Sequence, residues 1–295
     1  MATLYTHKSQ NIVKTWFLMA GFLVFVILIG WIFAQAYGNP FILYAAVFFS
    51  IFMNITGYWF SDKIALRMAG AIPARREEYF NLYTIVENLS ITAGLPMPKV
   101  YVMNDIAPNA FATGRNPEHA VIAVTTGLLT MLEKAELEGV IAHELSHIGN
   151  RDMLIGTVAV VLAGFIAILS DFFMRSMMWG GRDRDSKAGV AFMILGVVAV
   201  ILAPIAATLI RLAISRRREY LADTSGALLT RYPEGLASAL KKIGGYSMPM
   251  KRASDATAHL FISNPFGATG TKKFLTRMFM THPPMEDRIK VLLTK

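Results

Sequence analysis

The sequence predicts a mainly α membrane protein, with about four transmembrane helices joined to an α+β polar domain that holds a small β-sheet. Three observations predict it. The 295 residues are 54% hydrophobic and only 17% charged, with mean hydropathy +0.45, which is too apolar for an ordinary soluble chain. Apolar stretches at about 15–36, 40–60, 153–174 and 188–213 each approach or exceed the roughly 20 residues that cross a bilayer. The polar remainder, about 61–152 and 214–295, sums to roughly 170 residues, a normal size for one domain.

The first stretch follows Lys8 and Lys14 and ends in Ala34-Gln35-Ala36, the outline of a cleavable signal peptide. Its apolar core exceeds the usual length of roughly 7 to 15 residues, and a second apolar run follows at once, so an uncleaved hairpin over 1–60 is expected. The third and fourth stretches could instead be buried core helices. They hold almost no charge before Asp171 and Arg211 near their ends, however, which favours lipid, and Pro204 does not prevent insertion. They form a second hairpin, 153–213, that interrupts the polar domain.

Orientation follows from the flanking cations. No charge lies between the first two stretches, whereas Lys63, Arg67, Arg75 and Arg76 follow the second, so both termini and the polar domain are expected to be cytoplasmic. Arg216, Arg217 and Arg218 agree, although Arg175, Arg182, Arg184 and Lys187 in the opposite loop reduce the asymmetry. A net charge of +9 suits an anionic lipid surface, and no nucleic-acid motif accompanies it. The basic run also reads as a snorkelling helix end.

Within the polar domain, Leu82, Ile85, Val86 and Leu89 repeat at helical spacing after Glu77-Glu78 and predict a core-facing amphipathic helix. Tyr101-Val102 and Val121 to Val124 are β-branched runs that predict strands. From Glu133 onward the chain is rich in helix formers. Leu137, Val140, Ile141, Leu145 and Ile148 supply an apolar stripe, and Gly149-Asn150 a stop.

That helix carries His143-Glu144-Leu145-Ser146-His147. Residues i and i+4 share a helix face, which lets both imidazoles offer a nitrogen to one zinc ion. Glu144 stands one position off the ligand stripe, where it could take a proton from water that the metal activates. A solvated helix that carries two histidines by accident is the bland alternative. A further ligand is needed, and Arg216-Arg217-Arg218-Glu219-Tyr220-Leu221-Ala222-Asp223 is the place to look. Glu219 could bind zinc while Asp223 accepts a hydrogen bond from a ligand imidazole; the run also reads as an exposed charged face. His119, His259 and Asp152 are weaker ligand candidates, because none has a comparable pattern around it.

Together these residues resemble the HtpX family of integral-membrane zinc metalloproteases, relatives of the CAAX prenyl endoproteases. The resemblance implies a zincin-like domain of gluzincin type, with one zinc per subunit held by His143, His147 and Glu219, and with Glu144 as base. It implies a multi-pass protein of the bacterial inner membrane that cuts misfolded or damaged membrane proteins at the cytoplasmic face. Pro108 followed by Asn109, Ala110, Phe111 and Ala112 resembles the family's substrate-side edge strand, where a peptide could add by main-chain hydrogen bonds. A loop that merely packs Phe111 is the alternative.

His282-Pro283 followed by Arg288 resembles another family motif near the metal, so His282 and Arg288 are candidates to stabilise the oxyanion. Turn capping by His282 and a salt bridge of Arg288 are the structural readings. Asn150 either orients the site or caps the helix. A narrow-specificity processor of prenyl-protein type would need a deep chamber, and a scaffold with structural zinc would need four protein ligands and no base.

Overall fold

Two long helices, α1 (Leu4–Tyr37) and α2 (Phe41–Ala69), form an antiparallel hairpin around the turn at Gly38 to Pro40. Within them Ser9–Gln35 and Phe41–Ala69 are long and apolar enough to cross a bilayer. Their outer faces expose large apolar side chains, among them Phe17, Phe41 and Phe48 at 80%, 71% and 74% exposure, as lipid-facing helices do. Small and polar residues line the inner face of α2, where Ser50, Asn54, Gly57 and Ser61 are buried at helical spacing. The computed structural model describes residues 4–159, 161, 162, 165, 216–254, 257–267 and 283–294. Most of the expected second hairpin therefore lies outside the described residues, as do the loop cations Arg175, Arg182, Arg184 and Lys187.

The polar part of the chain is built on a four-stranded mixed sheet. Strands β1 (Ala71–Pro73), β2 (Lys99–Met103), β3 (Ala110–Thr113) and β4 (Val121–Thr125) stand in the order β1-β2-β4-β3. The β2–β4 pair is parallel and the outer pairs are antiparallel, with Ala110 opposite Val124 and Phe111 opposite Ala123. The segment between the two expected strands is thus itself a strand, at the sheet edge.

Both faces of the sheet are covered, so β3 and β4 are buried along their full length. Val100, Val102, Ala110, Ala112, Ile122 and Val124 alternate toward one core. There they meet α3 (Phe80–Ala93), α5 (Lys134–Gly149), α7 (Pro233–Gly244) and α8 (Met285–Leu293), while the short α4 (Thr126–Met131) follows β4 directly. Met103, Phe111, Val121 and Ala123 point the other way, onto Leu66, Ala69 and Phe261. Helix α3 buries Leu82, Ile85, Val86 and Leu89 as its spacing predicts. This core takes residues from both sides of the segment 153–213.

The metal-motif helix α5 is secured at its start by a buried carboxylate. Glu136 accepts from the Glu133 N–H at 2.8 Å, from Ser238 Oγ at 2.6 Å and from Lys242 Nζ at 2.7 Å, tying α5 to α7. Burial alone would raise the Glu136 carboxyl, but Lys242, Ser238 and the Glu133 N–H outweigh it and hold the pKa below the ordinary 4.5. A depressed carboxylate contributes stability above its unfolded pKa and loses it as pH falls through the folded one. Thermal melts of Glu136→Gln and the parent chain are expected to differ above about pH 5 and to converge below 4.5. Because Lys242 is partly solvated, the gap is about 1 to 2 kcal/mol. A gap that persists unchanged at low pH would show that the ion pair is not its source.

Candidate metal centre

Helix α5 is followed by a sharp turn in which Asn150 caps the helix and Arg151 adopts φ 56°. Helix then resumes at residues 152–159. Helix α6 (Arg216–Thr230) lies against α5, and close approach is possible because its Gly226 faces the His143 backbone. A Cβ there would sit 2.9 Å from the His143 nitrogen. Glu219, Asp223 and Gly226 fall at i, i+4 and i+7, so one face of α6 carries two carboxylates and the gap that lets them reach α5.

Across that contact, His143 Nε2 and His147 Nε2 are 3.2 Å apart. Glu219 places one carboxylate oxygen 3.9 Å from His143 Nε2 and the other 3.7 Å from His147 Nε2. Donors about 2.0 to 2.1 Å from a tetrahedral zinc would stand about 3.3 Å from one another. These three residues therefore form a possible metal site that needs only small adjustment.

The far sides of the two imidazoles reinforce this fit. His143 Nδ1 is 2.9 Å from Asp223 and His147 Nδ1 is 3.2 Å from Asp152. With each Nδ1 turned to a carboxylate, both Nε2 atoms converge on one point between the rings. A bound cation satisfies both.

The charges around the ligands are unequal. Burial pulls His143 down to about 4, against the opposing effect of Asp223. Burial would depress His147 too, but Asp152, Glu219 and Glu144 outweigh it and push it up to about 9. Burial pushes the Glu144 carboxyl up to about 7, opposed by His147 and reinforced by Glu219, while the Ala112 N–H donates to it. A carboxyl that changes protonation near neutrality suits a group that both takes and returns a proton.

Asp223 is fully buried and held at about 2; burial would raise it, but Arg288 and His143 dominate. Arg288 grips it with Nε at 2.8 Å and Nη2 at 2.6 Å, and donates through Nη1 to the Ile262 carbonyl at 3.2 Å. Its guanidinium is fully buried behind Asp223 and does not line the cleft. His282 lies outside the described residues, while Pro283 just precedes α8.

The cleft is bordered by Ala112, Glu144, Arg218, His259 and Phe261. Of the expected edge-strand residues, Ala112 faces it. Asn109 is buried and braces the neighbouring segment, accepting from the Ser263 N–H at 3.2 Å and donating to its carbonyl at 3.0 Å. The Ala110 carbonyl accepts from the Ile262 N–H at 2.9 Å, and the Phe111 ring packs edge-on against Phe261 at 5.1 Å. Asn150 is buried at the α5 cap, and its amide nitrogen makes no hydrogen bond among the described residues. His119 is bound to Asn116 and Arg115 away from the cleft.

Gly226 was not singled out from sequence, and Asp152 was only a weaker ligand candidate rather than the partner of His147 that it is. For Gly226 the signal existed, since it continues the Glu219–Asp223 stripe. For Asp152 it did not, because the turn at Arg151 breaks the helical spacing from His147.

Such a donor set beside a carboxyl that titrates near neutrality performs metal-dependent hydrolysis, and the two apolar helices place it in a membrane-bound class of zinc metalloproteases. Sequence comparison then supplies the family. The profile of peptidase family M48 matches residues 77–295, and the chain belongs to that family. It is 49% identical to the "Protease HtpX homolog" of Caldanaerobacter subterraneus subsp. tengcongensis over 98% of this chain and 97% of that protein. Similar relatives include the homologue of Thermoanaerobacter pseudethanolicus, also 49% identical over 98% and 97%. That of Tropheryma whipplei strain Twist is 42% identical over the same shares. The crystal structure of S. mikatae Ste24p aligns with TM-score 0.51 at 17% identity, covering 98% of this chain and 67% of that one, which shows a shared fold.

Proposed function

We propose that this metalloprotease is an endopeptidase of the bacterial inner membrane that cuts misfolded or damaged membrane proteins at the cytoplasmic face. One observation carries the reading: the metal centre stands at the end of the membrane hairpin. Asn11, only two residues into the apolar span, hydrogen-bonds the turn that follows the metal helix, and α2 runs directly into β1. Peptide bonds emerging from the bilayer would meet the cleft first. We read 61–152 and 214–295 as one catalytic domain interrupted by a second membrane hairpin at 153–213, giving about four spans. The shared core on either side of that segment supports this. The cations Lys63 and Arg115 lie over Phe60 and Trp59 at 5.3 and 4.6 Å, as expected of a cytoplasmic membrane interface.

His143, His147 and Glu219 would hold the zinc. Bound there, the ion supplies a Lewis acid that polarises the scissile carbonyl and acidifies the attacking water. Glu144 takes the water proton on its carboxylate and delivers it to the leaving amine, held toward the cleft by the Ala112 N–H. Asp223 and Asp152 keep both imidazoles in the tautomer that presents Nε2 inward. Arg288 orients Asp223. An extended substrate would add beside β3 at its Ala112 end, because the outer edge at Ala110 already bonds Ile262.

Zinc analysis and co-reconstituted membrane-protein substrates test this reading. The wild-type chain is expected to hold one zinc and cleave, and Glu219→Ala to lose more than about 100-fold in zinc affinity; undiminished affinity would remove Glu219 from the ligand set. The chain has no cysteine. A single Cys in place of the exposed Glu118 is therefore expected to react with impermeant reagents only from the cytoplasmic side, and reaction from the other side would invert the topology.

A further inference from the structure

Asn11 is a primary amide near the start of the first membrane span, and it is 96% buried. An amide at such a place is costly unless its hydrogen bonds are made, and a polar group on a spanning helix marks a functional position. The Asn11 bonds cross 141 and 139 residues of sequence: its Nδ2 donates to Asp152 Oδ1 at 2.5 Å and to the Asn150 carbonyl at 3.3 Å. Asp152 uses its other oxygen, Oδ2, to accept from His147 Nδ1 at 3.2 Å. Thr15 Oγ1 donates to the Asn11 carbonyl at 2.9 Å. Leu18, Met19 and Phe22 continue the same face of α1 onto Leu154, Ile155 and Val158. The helix is thus seated on the metal side of the molecule from Asn11 to Phe22.

We infer that Asn11 is a positioning residue for the zinc site, acting from the first membrane helix through Asp152 on the ring of His147. By holding Oδ1, the Asn11 amide fixes the plane of the Asp152 carboxylate so that Oδ2 meets His147. Arg218 is the competing donor. Its Nε stands 3.9 Å from Oδ1, and its buried Nη1 makes no hydrogen bond among the described residues. Without the Asn11 amide, Oδ1 turns toward Arg218 and the hydrogen bond that orients His147 weakens. Zinc affinity therefore depends on one side chain of α1, and the membrane hairpin contributes to the site rather than only tethering it.

The inference rests on His147 being a zinc ligand, and the test separates the two. Full-length protein in detergent is compared as wild type, Asn11→Leu, Leu18→Ala and His147→Ala. Three quantities are read: zinc affinity by chelator competition, the visible spectrum of the cobalt(II)-loaded chain, and the melting temperature of the metal-free chain. Asn11→Leu keeps the side-chain volume and removes the donor. It is expected to weaken zinc on the order of 10-fold and to shift the cobalt bands, with little change in metal-free melting.

Leu18→Ala, which loosens the same helix face without touching Asp152, is expected to lower melting and leave zinc affinity and the cobalt spectrum unchanged. Wild-type affinity and spectrum in Asn11→Leu overturn the inference, as does a Leu18→Ala variant that reproduces its loss. Undiminished zinc affinity in His147→Ala overturns the ligand assignment itself. If Asn11→Leu does not fold, Asn11→Ser, which retains a shorter donor, is read the same way: weakened zinc with a shifted spectrum supports the inference, and wild-type values overturn it.

Discussion

Glu144→Gln is expected to keep zinc at wild-type affinity and to cut peptide turnover by about 10²- to 10⁴-fold, the usual contribution of a positioned general base. The substitution is nearly isosteric. The amide oxygen still accepts from the Ala112 N–H that holds Glu144, and the proposed ligands His143, His147 and Glu219 are untouched, so the site keeps its shape. What disappears is a carboxylate able to remove a proton from water and return it to the departing nitrogen. The loss is therefore expected in kcat, with KM for peptide little altered. Parallel zinc analysis and steady-state cleavage decide it. Turnover within a factor of ten of wild type would remove Glu144 from the base role, and loss of zinc would show that it supports the metal instead.

Arg288→Met is expected to be the most destabilising single change near the site, by about 3 to 5 kcal/mol. Arg288 and Asp223 are both fully excluded from solvent and joined by two short hydrogen bonds. Removing the guanidinium leaves a carboxylate buried without its main partner, and it also strips the Ile262 carbonyl of a donor. The double variant Arg288→Met with Asp223→Leu removes the stranded charge and is expected to recover much of the melting temperature. It is not expected to recover zinc affinity, because His143 Nδ1 then lacks the acceptor that fixes its tautomer. A single variant that melts like wild type would mean that water reaches Asp223. Restored zinc binding in the double variant would mean that His143 needs no orienting partner.

The metal motif was legible because its geometry is local. His143 and His147 share a helix face whatever the helix packs against, and the apolar stripe that sets the helix is read from spacing. The same holds for α3, whose period is 3.6, and for the strands at 99–103 and 121–125, whose β-branched runs favour extended backbone. The Asn109–Ala112 stretch was open between strand and loop. Its short run of small and aromatic side chains has no decisive period, and only pairing with β4 makes Ala110–Thr113 a strand, with Asn109 just before it. The roles of Asn109, Phe111 and Arg288 also needed the fold. Each is a buried side chain whose partners, Ser263, Phe261 and Asp223, lie 65 to 154 residues away.

The sequence by itself determined the membrane character, the zinc-binding helix and the second helix with its paired carboxylates, since composition and i, i+4 spacing act within a single element. Only the tertiary structure decided which carboxylate faces which imidazole. Asp223 reaches His143 because Gly226 lets α6 lie against the His143 backbone. Asp152 reaches His147 because a left-handed turn at Arg151 folds it back. Asn11 reaches Asp152 because α1 packs on Leu154, Ile155, Val158 and Leu162. Hydrogen bonds act over about 3 Å, so a partner is chosen by where helices cross, and no periodicity in the chain records a crossing.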